Sequence, residues 1–304
     1  EILGVEWSVV GCLHVCYLTV VTVGQGVYKV CGPPVLYRAP EGYYEAAMKN
    51  INDFDAEARY YDLLEHKNKP LFDAILRYLA PVLRKARVRT ILDATCGTGA
   101  QAIPLSAMGF RVLGSDKAPA LLKIARGKSK GLPRIKFVLG DVRRSRFGRF
   151  DAVISMLNSL GSLSKKDFRK ALANINANLR DQGLLVFDNT NKERLDSGRY
   201  SPKEYIDAAG EIAGVRFVRF GRGAYDKRTG LLSTRWKAMV QEGFGKIALR
   251  EGIWNRQTYT IDELQHIFAD TGFRMETVLD RELKPFDKKK SFAYLVIARK
   301  VVTC

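Results

Sequence analysis

The stretch Thr90-Ile-Leu-Asp-Ala-Thr-Cys-Gly-Thr-Gly-Ala-Gln-Ala102 decides the fold of this chain of 304 residues. Ile91 and Leu92 form a short apolar run without polar alternation, which is typical of a strand covered on both faces of a parallel sheet. Gly97 and Gly99 follow, and glycine lets a ligand approach the backbone closely. The order of strand, glycine-rich loop and helix therefore predicts a loop that cradles a nucleotide-like cofactor.

Two classes of cofactor fit this loop. The pattern Gly97-x-Gly99-x-x-Ala102 also satisfies the dinucleotide-binding fingerprint, and Asp116 lies about where a ribose-binding acid would follow. Asp93 distinguishes the two classes, because a carboxylate beside the loop repels a pyrophosphate but attracts a cofactor with an ammonium and a sulfonium group. S-adenosylmethionine carries both groups, so we expect it rather than NAD.

The sequence Leu92-Asp-x-x-Cys-Gly-Thr-Gly99 resembles the first motif of the class I S-adenosylmethionine-dependent methyltransferases. Three later segments resemble the next strands of that family, in the family's order: Val112–Asp116, Phe137–Val142 and Phe150–Met156. An Asp at a single strand end usually caps a helix, but four such segments in the family's order are specific to that family. The resemblance implies an α/β fold: a doubly wound, Rossmann-like sheet of seven mostly parallel strands with an antiparallel last strand.

The resemblance also implies which residues hold the cofactor. In the family, the acid that ends the second strand, here Asp116, holds the ribose hydroxyls, and the end of the third strand lines the adenine. The implied contacts lie in the first loop and at the strand ends: Asp93, Cys96, Gly97, Thr98, Gly99, Asp116, Lys117, Asp141, Val142, Met156 and Asn158. Among them we expect Cys96 to pack as a small residue rather than to act as a nucleophile.

Candidates for contact with the methyl acceptor are Tyr61, His66, Asn158, Trp254 and Tyr259. Tyr61 belongs to the segment 54–62, which resembles the opening of many small-molecule methyltransferases, where it lies over the methyl-transfer site; the same residues also suit an ordinary packed helix. Asn158 begins an Asn-Ser-Leu stretch that resembles the glycine and sarcosine methyltransferase group. His66 could deprotonate a hydroxyl acceptor, but a lone His at a helix edge is more often structural or solvated.

One departure from that group concerns the acceptor. In the glycine N-methyltransferases an arginine after the fifth strand clamps the substrate carboxylate, and Thr190 stands at the corresponding position here. Arg194 is a candidate replacement, since arginine pairs bidentately with carboxylates, but nothing in the sequence places it. Glycine as the acceptor is thereby put in doubt.

Alternating polar and apolar residues predict a small antiparallel β lid, inserted after the fifth strand over residues 192–258. Its three expected strands are Val215–Phe220, Leu232–Met239 and Lys246–Trp254. Its larger aromatic residues either line the acceptor site or pack the core of the lid: Phe217, Trp236 and Trp254. The lid separates a cofactor-binding core over residues 48–191 from a helix and strand pair over residues 259–304.

Two other signals concern helix ends. Helical spacing over Leu71–Leu83 is interrupted by Pro81, which we expect to break that helix. Gly183 is expected to end a later helix before the fifth strand, Leu184–Asp188.

Residues 1–47 form a leader with a different composition. Ser8–Tyr28 carries no charged residue, which raises the question of a membrane anchor or a targeting segment. No basic region precedes this run, and its glycines and threonines dilute its hydrophobicity, so we expect neither. Met48 begins a segment in the manner of the family, and we expect it to be the biological start, with residues 1–47 outside the fold.

The formal net charge of +18 suggests nucleic acid, an anionic surface or an acidic substrate as a partner, although solvated lysines and arginines give the same balance. Five cysteines without a C-x-x-C pair support neither a zinc site nor a disulfide framework, so we expect no metal and a reducing cytoplasm. The preferred function is methylation of an N or O atom of a small molecule. The alternatives are an RNA or protein methyltransferase with a cationic rim at Arg143, Arg144 and Arg146, and a binding or NAD-dependent protein.

Overall fold

The computed structural model describes residues 5–9, 19–23, 26–30, 54–200 and 204–301. The chain divides into two compact units, Glu1–Ala47 and Met48–Cys304. Among the described residues, no helix is long and apolar enough to cross a membrane.

The first unit contains an antiparallel sheet of β1 (Val5–Val9), β2 (Thr19–Val23) and β3 (Gly26–Val30), in that order. The sequence analysis did not anticipate these strands. That residues 1–47 stand apart from the methyltransferase fold, and that Met48 is the biological start, stay predictions.

The second unit mixes helices and strands and includes four consecutive strands over residues 204–257. Its strands are β4 (Thr90–Asp93), β5 (Arg111–Asp116), β6 (Ile135–Leu139), β7 (Phe150–Ser155), β8 (Leu179–Thr190), β9 (Glu204–Ile212), β10 (Val215–Asp226), β11 (Leu231–Glu242), β12 (Ala248–Gln257), β13 (Phe273–Asp280) and β14 (Ala293–Lys300). Its helices are α1 (Phe54–Glu65), α2 (Lys69–Lys85), α3 (Ala102–Ala107), α4 (Pro119–Lys128), α5 (Lys165–Asn178), the short α6 (Lys192–Arg194) and α7 (Ile261–Thr271).

Seven of these strands form the central sheet, in the order β13-β14-β8-β7-β4-β5-β6. The strands from β8 to β6 pair in parallel, whereas β14 is antiparallel to both of its neighbours. This confirms the predicted seven-stranded, mostly parallel sheet with an antiparallel last strand.

Both faces of the central sheet are covered, as the unbroken apolar strands predicted. Ile91 and Ile154 are fully buried on the face that packs against α2, α3 and α4. Leu92 and Val153, their neighbours along the same two strands, are buried on the face that packs against α5 and α7. The carboxyl ends of β4, β5, β7 and β8 therefore meet at one edge, where ligands bind in open α/β sheets.

Two predicted helix ends are wrong. Helix α2 continues through Pro81, because its buried face, including Leu79 and Leu83, secures the helix against the sheet despite the missing backbone hydrogen bond. Helix α5 ends before Gly183, which lies inside β8. A side chain at Gly183 would approach the carbonyl oxygen of Arg180 to 2.8 Å, so the glycine permits close packing at the start of the strand.

The predicted insertion contains an antiparallel sheet of four strands in the order β12-β11-β10-β9, which confirms the lid as a separate sheet. The prediction of three strands missed β9, an edge strand that is mostly exposed and therefore lacks the alternation that a half-buried strand shows. The third predicted strand, Lys246–Trp254, is β12 displaced towards Gln257.

The inner face of the lid packs against α1. Phe217 and Trp236, which are 8% and 2% exposed, form a cluster with Tyr60 and Leu64 of that helix. Of the two roles considered for these residues, lining the acceptor site or packing the core of the lid, the structure shows core packing for Phe217 and Trp236.

Candidate active site

The loop after β4 depends on two glycines in the left-handed region, Gly97 at φ +52° and Gly99 at φ +85°. A Cβ atom at Gly99 would lie 2.9 Å from Ile103 and 3.0 Å from Phe137, so this glycine is required for packing. At Gly97 the nearest atom would be Cε1 of Tyr61, at 3.9 Å. The surface above Gly97 is thus open to a ligand and bordered by Tyr61 from α1.

Asp116, at the carboxyl end of β5, fixes the position of this loop. Its Oδ2 accepts a hydrogen bond from the backbone N–H of Gly97 at 2.8 Å, and its Oδ1 accepts one from the backbone N–H of Ala118 at 3.0 Å. A carboxylate oxygen has room for a second donor, so each can still accept a hydroxyl. This arrangement fits the predicted contact with two ribose hydroxyls.

Asp93, at the end of β4, is 1% exposed, and its Oδ2 has no hydrogen-bond partner in the described part of the chain. Burial and, to a smaller extent, the charge of Asp116 raise the pKa of this carboxyl to about 8, against the lowering effect of the backbone hydrogen bond from Thr95. Asp93 and Asp116 are two neighbouring carboxyl groups, and one oxygen of Asp93 lacks a hydrogen-bond partner within the described residues. This arrangement suits a ligand that carries positive charge. S-adenosylmethionine fits this requirement, whereas a pyrophosphate does not.

Helix α1 is tied to the same loop. Thr98 Oγ1 donates a hydrogen bond to Asp62 Oδ1 at 2.5 Å, and Asp62 also forms an ion pair with Lys128 of α4. Cys96 is 2% exposed, and burial raises the pKa of its thiol, so it packs and is not a nucleophile. The segment that was predicted to lie over the methyl-transfer site therefore does meet the glycine-rich loop.

Other predicted cofactor contacts differ in exposure. Lys117 is exposed, whereas Met156 is buried at the end of β7. Val142 is half-buried beside Asp141. Their contacts with a cofactor stay predictions.

The carboxylate of Asp141 already pairs with an arginine of the same chain. Arg143 donates to both of its carboxylate oxygens and also to Asp167 at 3.0 Å, and these bonds hold the pKa of Asp141 at about 2. Arg144 lies 3.9 Å from the same carboxylate. Part of the predicted cationic rim is therefore neutralised within the molecule.

A strained turn follows β7. Leu157 and Asn158 have φ values of +63° and +54°, which non-glycine residues rarely adopt and which are concentrated at functional sites. The backbone N–H of Asn158 donates to Asp188 Oδ1 at 2.9 Å, and its side-chain Nδ2 donates to Thr190 Oγ1 at 2.9 Å. Asn158 thus joins the end of β7 to the end of β8, and Thr190 is buried in this contact.

Tyr259, the fifth acceptor candidate, is buried. It is 1% exposed and stacks on Phe168 with ring centroids 4.6 Å apart, inside the core between the sheet and α5. Its ring therefore packs in the core, and its contact with the acceptor stays a prediction.

The two remaining acceptor candidates, His66 and Trp254, differ in their surroundings. His66 is exposed on the short helical turn after α1, as in the solvated interpretation. Trp254 lies on the inner face of the lid, and two guanidinium groups contact its ring: Arg219 Cζ is 4.6 Å and Arg256 Cζ 5.1 Å from the ring centroid.

Five side chains around Trp254 and the end of β8 were not predicted from the sequence: Asp188, Tyr200, Tyr205, Arg256 and Arg281. Burial raises the pKa of Asp188, and the positive charges of Arg281 and Arg256 act in the opposite direction. The one available signal was the position of Asp188 at the end of a predicted strand, where ligand-binding residues accumulate.

Comparison with known proteins agrees with this geometry. Residues 91–183 match a family model described as a methyltransferase domain. A glycine/sarcosine/dimethylglycine N-methyltransferase of Actinopolyspora halophila is 32% identical over 51% of this chain and 28% of its own length. A glycine/sarcosine N-methyltransferase of Parasynechococcus marenigrum is 36% identical over 38% of this chain and 43% of its own length. The chain thus spans less than half the length of these two relatives.

Solved structures share the fold. An S-adenosylmethionine-dependent methyltransferase from Clostridium acetobutylicum has a TM-score of 0.68 at 15% identity, covering 83% of this chain and 100% of that one. The S-adenosylmethionine-bound amino pentose methyltransferase CalS10 from Micromonospora echinaspora has a TM-score of 0.62 at 23% identity, covering 83% of this chain and 99% of that one. The resemblance found in the sequence is confirmed, and with it S-adenosylmethionine as the cofactor.

The first prediction concerns Asp116. Asp116→Ala removes the acceptor of two ribose hydroxyls, so titration calorimetry with S-adenosylhomocysteine should show binding weakened by roughly 2–4 kcal/mol. Asp270→Asn is the control, because Asp270 is an exposed partner of Arg169 away from the site. Unchanged affinity in Asp116→Ala, with an unchanged melting temperature, would contradict the assignment.

The second prediction concerns pH. Because the pKa of Asp93 is about 8, this carboxyl is protonated below that pH and must lose its proton to bind an ammonium group. Affinity for S-adenosylhomocysteine should therefore rise as the pH rises towards 8, and binding below that pH should release a proton. Calorimetry in buffers of different ionisation enthalpy measures the release, which Asp93→Asn should abolish. Equal proton release by both proteins would show that another group is responsible.

Proposed function

We propose that this chain, a class I S-adenosylmethionine-dependent methyltransferase, transfers the methyl group to a nitrogen atom of a small-molecule acceptor by in-line displacement. The observation that carries this proposal is the position of Asp188, a half-buried carboxyl at the carboxyl end of β8, beneath the inner face of the lid. Such a group can accept a hydrogen bond from an amine and take up its proton.

The lid supports a small acceptor. Strand β12 packs against the turn Leu160–Ser162, which directly follows the strained residues after β7. Arg219 of β10 is 2% exposed and joins the lid to α1 through Glu65 Oε1 at 3.0 Å. The lid is thereby held over the strand ends from two sides, which favours an enclosed acceptor.

Nitrogen as the methylated atom is supported by the relatives, two of which are named as N-methyltransferases of glycine and its methylated products. S-adenosylmethionine, when bound, supplies an activated methyl group, so the protein aligns the nucleophile, excludes water and takes up the proton of the amine. With S-adenosylmethionine bound, the lone pair of the acceptor nitrogen would form the bond to the methyl carbon as the carbon–sulfur bond breaks, and the electron pair of that bond would remain on sulfur. The proton lost by the amine goes to Asp188 and then to solvent.

An RNA or protein acceptor has less support. Arg143, which would be central to a cationic rim, is bound by Asp141 and Asp167, and the lid would obstruct a large acceptor. The assay for the proposed function therefore compares small amines, small alcohols and bulk transfer RNA with labelled S-adenosylmethionine. Methylation of an amine is the expected result.

The third prediction concerns Asp188. Asp188→Asn keeps an oxygen that can accept the backbone N–H of Asn158 but cannot take up a proton, so kcat should fall by about 100-fold, as for loss of a general base. The acidic limb of the pH profile of kcat should disappear, whereas affinity for S-adenosylhomocysteine should not change. Asp270→Asn again provides the control.

Two results would count against this role. An unchanged kcat would remove Asp188 from the reaction. An equal loss of cofactor affinity and melting temperature would show that Asp188 acts only by supporting Asn158.

A further inference from the structure

Arg219 and Arg256 lie on the inner face of the lid, and the guanidinium groups of both contact the Trp254 ring. The side chain of Arg219 is 2% exposed and forms ion pairs with Glu65 Oε1 at 3.0 Å and Asp207 Oδ2 at 2.6 Å. Its charge is therefore matched within the protein.

Arg256 is also partly buried, but it has no ion pair of its own. In the described part of the chain it forms neither a hydrogen bond nor an ion pair, and its guanidinium contacts the ring of Trp254. Burial lowers its pKa, and the charge of Arg281 acts in the same direction, whereas the charges of Glu65 and Asp207, which pair with Arg219, act in the opposite direction. Arginine does not give up its proton in proteins, so this guanidinium remains a cation without an ion-pair partner.

Aromatic rings pack on the lid around Arg256. Two glycines on the inner face of β10 make room for aromatic rings: a Cβ atom at Gly223 would lie 1.5 Å from Tyr200 Oη, and one at Gly221 would lie 2.8 Å from Tyr205 Cζ. Both tyrosines lie close enough to Arg256 for its charge to affect their pKa values. Arg256 is thus bordered by aromatic rings, as a guanidinium in a ligand site often is.

Asp188 does not supply an ion pair either. Its carboxyl is influenced by Arg256 and Arg281, but within the residues that the structure describes it forms an ion pair with neither. A buried cation without a partner is costly, and the cost is removed when a ligand brings the opposite charge.

We infer that Arg256, together with Arg281, binds an anionic group of the methyl acceptor and so determines which small molecules are methylated. This inference rests on the proposed function, because it assigns a ligand to the acceptor side of the same site. Thr190, at the position of an arginine clamp in the resembling group, bonds Asn158 and cannot hold an anion by charge. Arg256 reaches the acceptor from the lid instead. A carboxylate and a phosphate share the required chemistry.

The first experiment needs no turnover. Protein saturated with S-adenosylhomocysteine is titrated with acetate and, separately, with inorganic phosphate, and tryptophan fluorescence is recorded because Arg256 lies 5.1 Å from the Trp254 ring. At least one anion should give a saturable change, with its affinity about tenfold weaker in Arg256→Gln, the loss of one charge-assisted pair. Acetate as the better ligand assigns a carboxylate, and phosphate assigns a phosphoryl group.

Two further variants make this test specific. Arg256→Lys keeps the charge without the bidentate geometry, so its anion affinity should lie between those of the wild type and Arg256→Gln. Arg235→Gln removes an exposed arginine on the outer face of β11 and should bind anions as the wild type does. Equal anion binding by the wild type and Arg256→Gln, with equal melting temperatures, overturns the inference, as does absence of binding to the wild type.

The second experiment separates this inference from the proposed function. Methyl transfer is measured for matched pairs of amines, glycine against glycinamide and phosphoethanolamine against ethanolamine. The acidic member of at least one pair should be preferred by the wild type, and the preference in kcat/KM should fall about tenfold in Arg256→Gln. Turnover of amines without preference for the acid overturns the inference and leaves the proposed function intact. Turnover of transfer RNA alone overturns the proposed function.

Discussion

The carboxylate of Asp116 holds together the part of the molecule on which the chemistry depends. It joins the end of β5 to the loop after β4 through the backbone N–H of Gly97, and it accepts the N–H of Ala118 at the start of α4. The loop reaches α1 through Thr98 and Asp62. Asp116 therefore positions the loop that forms the cofactor site. Helix α1 contacts this loop, and the lid in turn packs against α1.

Charge is unevenly distributed along the site. Carboxyl groups lie at the cofactor end, where Asp93 is buried with an orphaned oxygen next to Asp116. Guanidinium groups lie at the lid end, where Arg256 and Arg281 lack ion pairs among the described residues. Asp188 stands between them at the end of β8. This distribution matches a cationic cofactor below and an acceptor that presents nitrogen towards Asp188 and an acid towards the lid.

The sequence predicted the central sheet because its strands are buried on both faces and appear as unbroken apolar runs, of which Ile91-Leu92 is the clearest. The loop glycines and Asp116 were predicted because local chemistry requires them at fixed spacing. β9 was missed because an exposed edge strand has no hydrophobic periodicity. Tyr259 and Arg256 show a second limit: their order in sequence does not tell which ring enters the core and which cation lacks an ion pair. Those properties arise only from the pairing of β11 with β12 and from the packing of α5.

We expect the cofactor to lie on the loop after β4 with its reactive end turned towards Asp188 and the lid. A crystal structure with bound S-adenosylhomocysteine would test this placement. We predict ribose hydroxyls on Asp116, the amino group of the ligand on Asp93, and the sulfur atom facing Asp188 on the acceptor side. A sulfur atom directed away from Asp188, or a ligand bound without contact to Asp116, would show that the cofactor lies elsewhere.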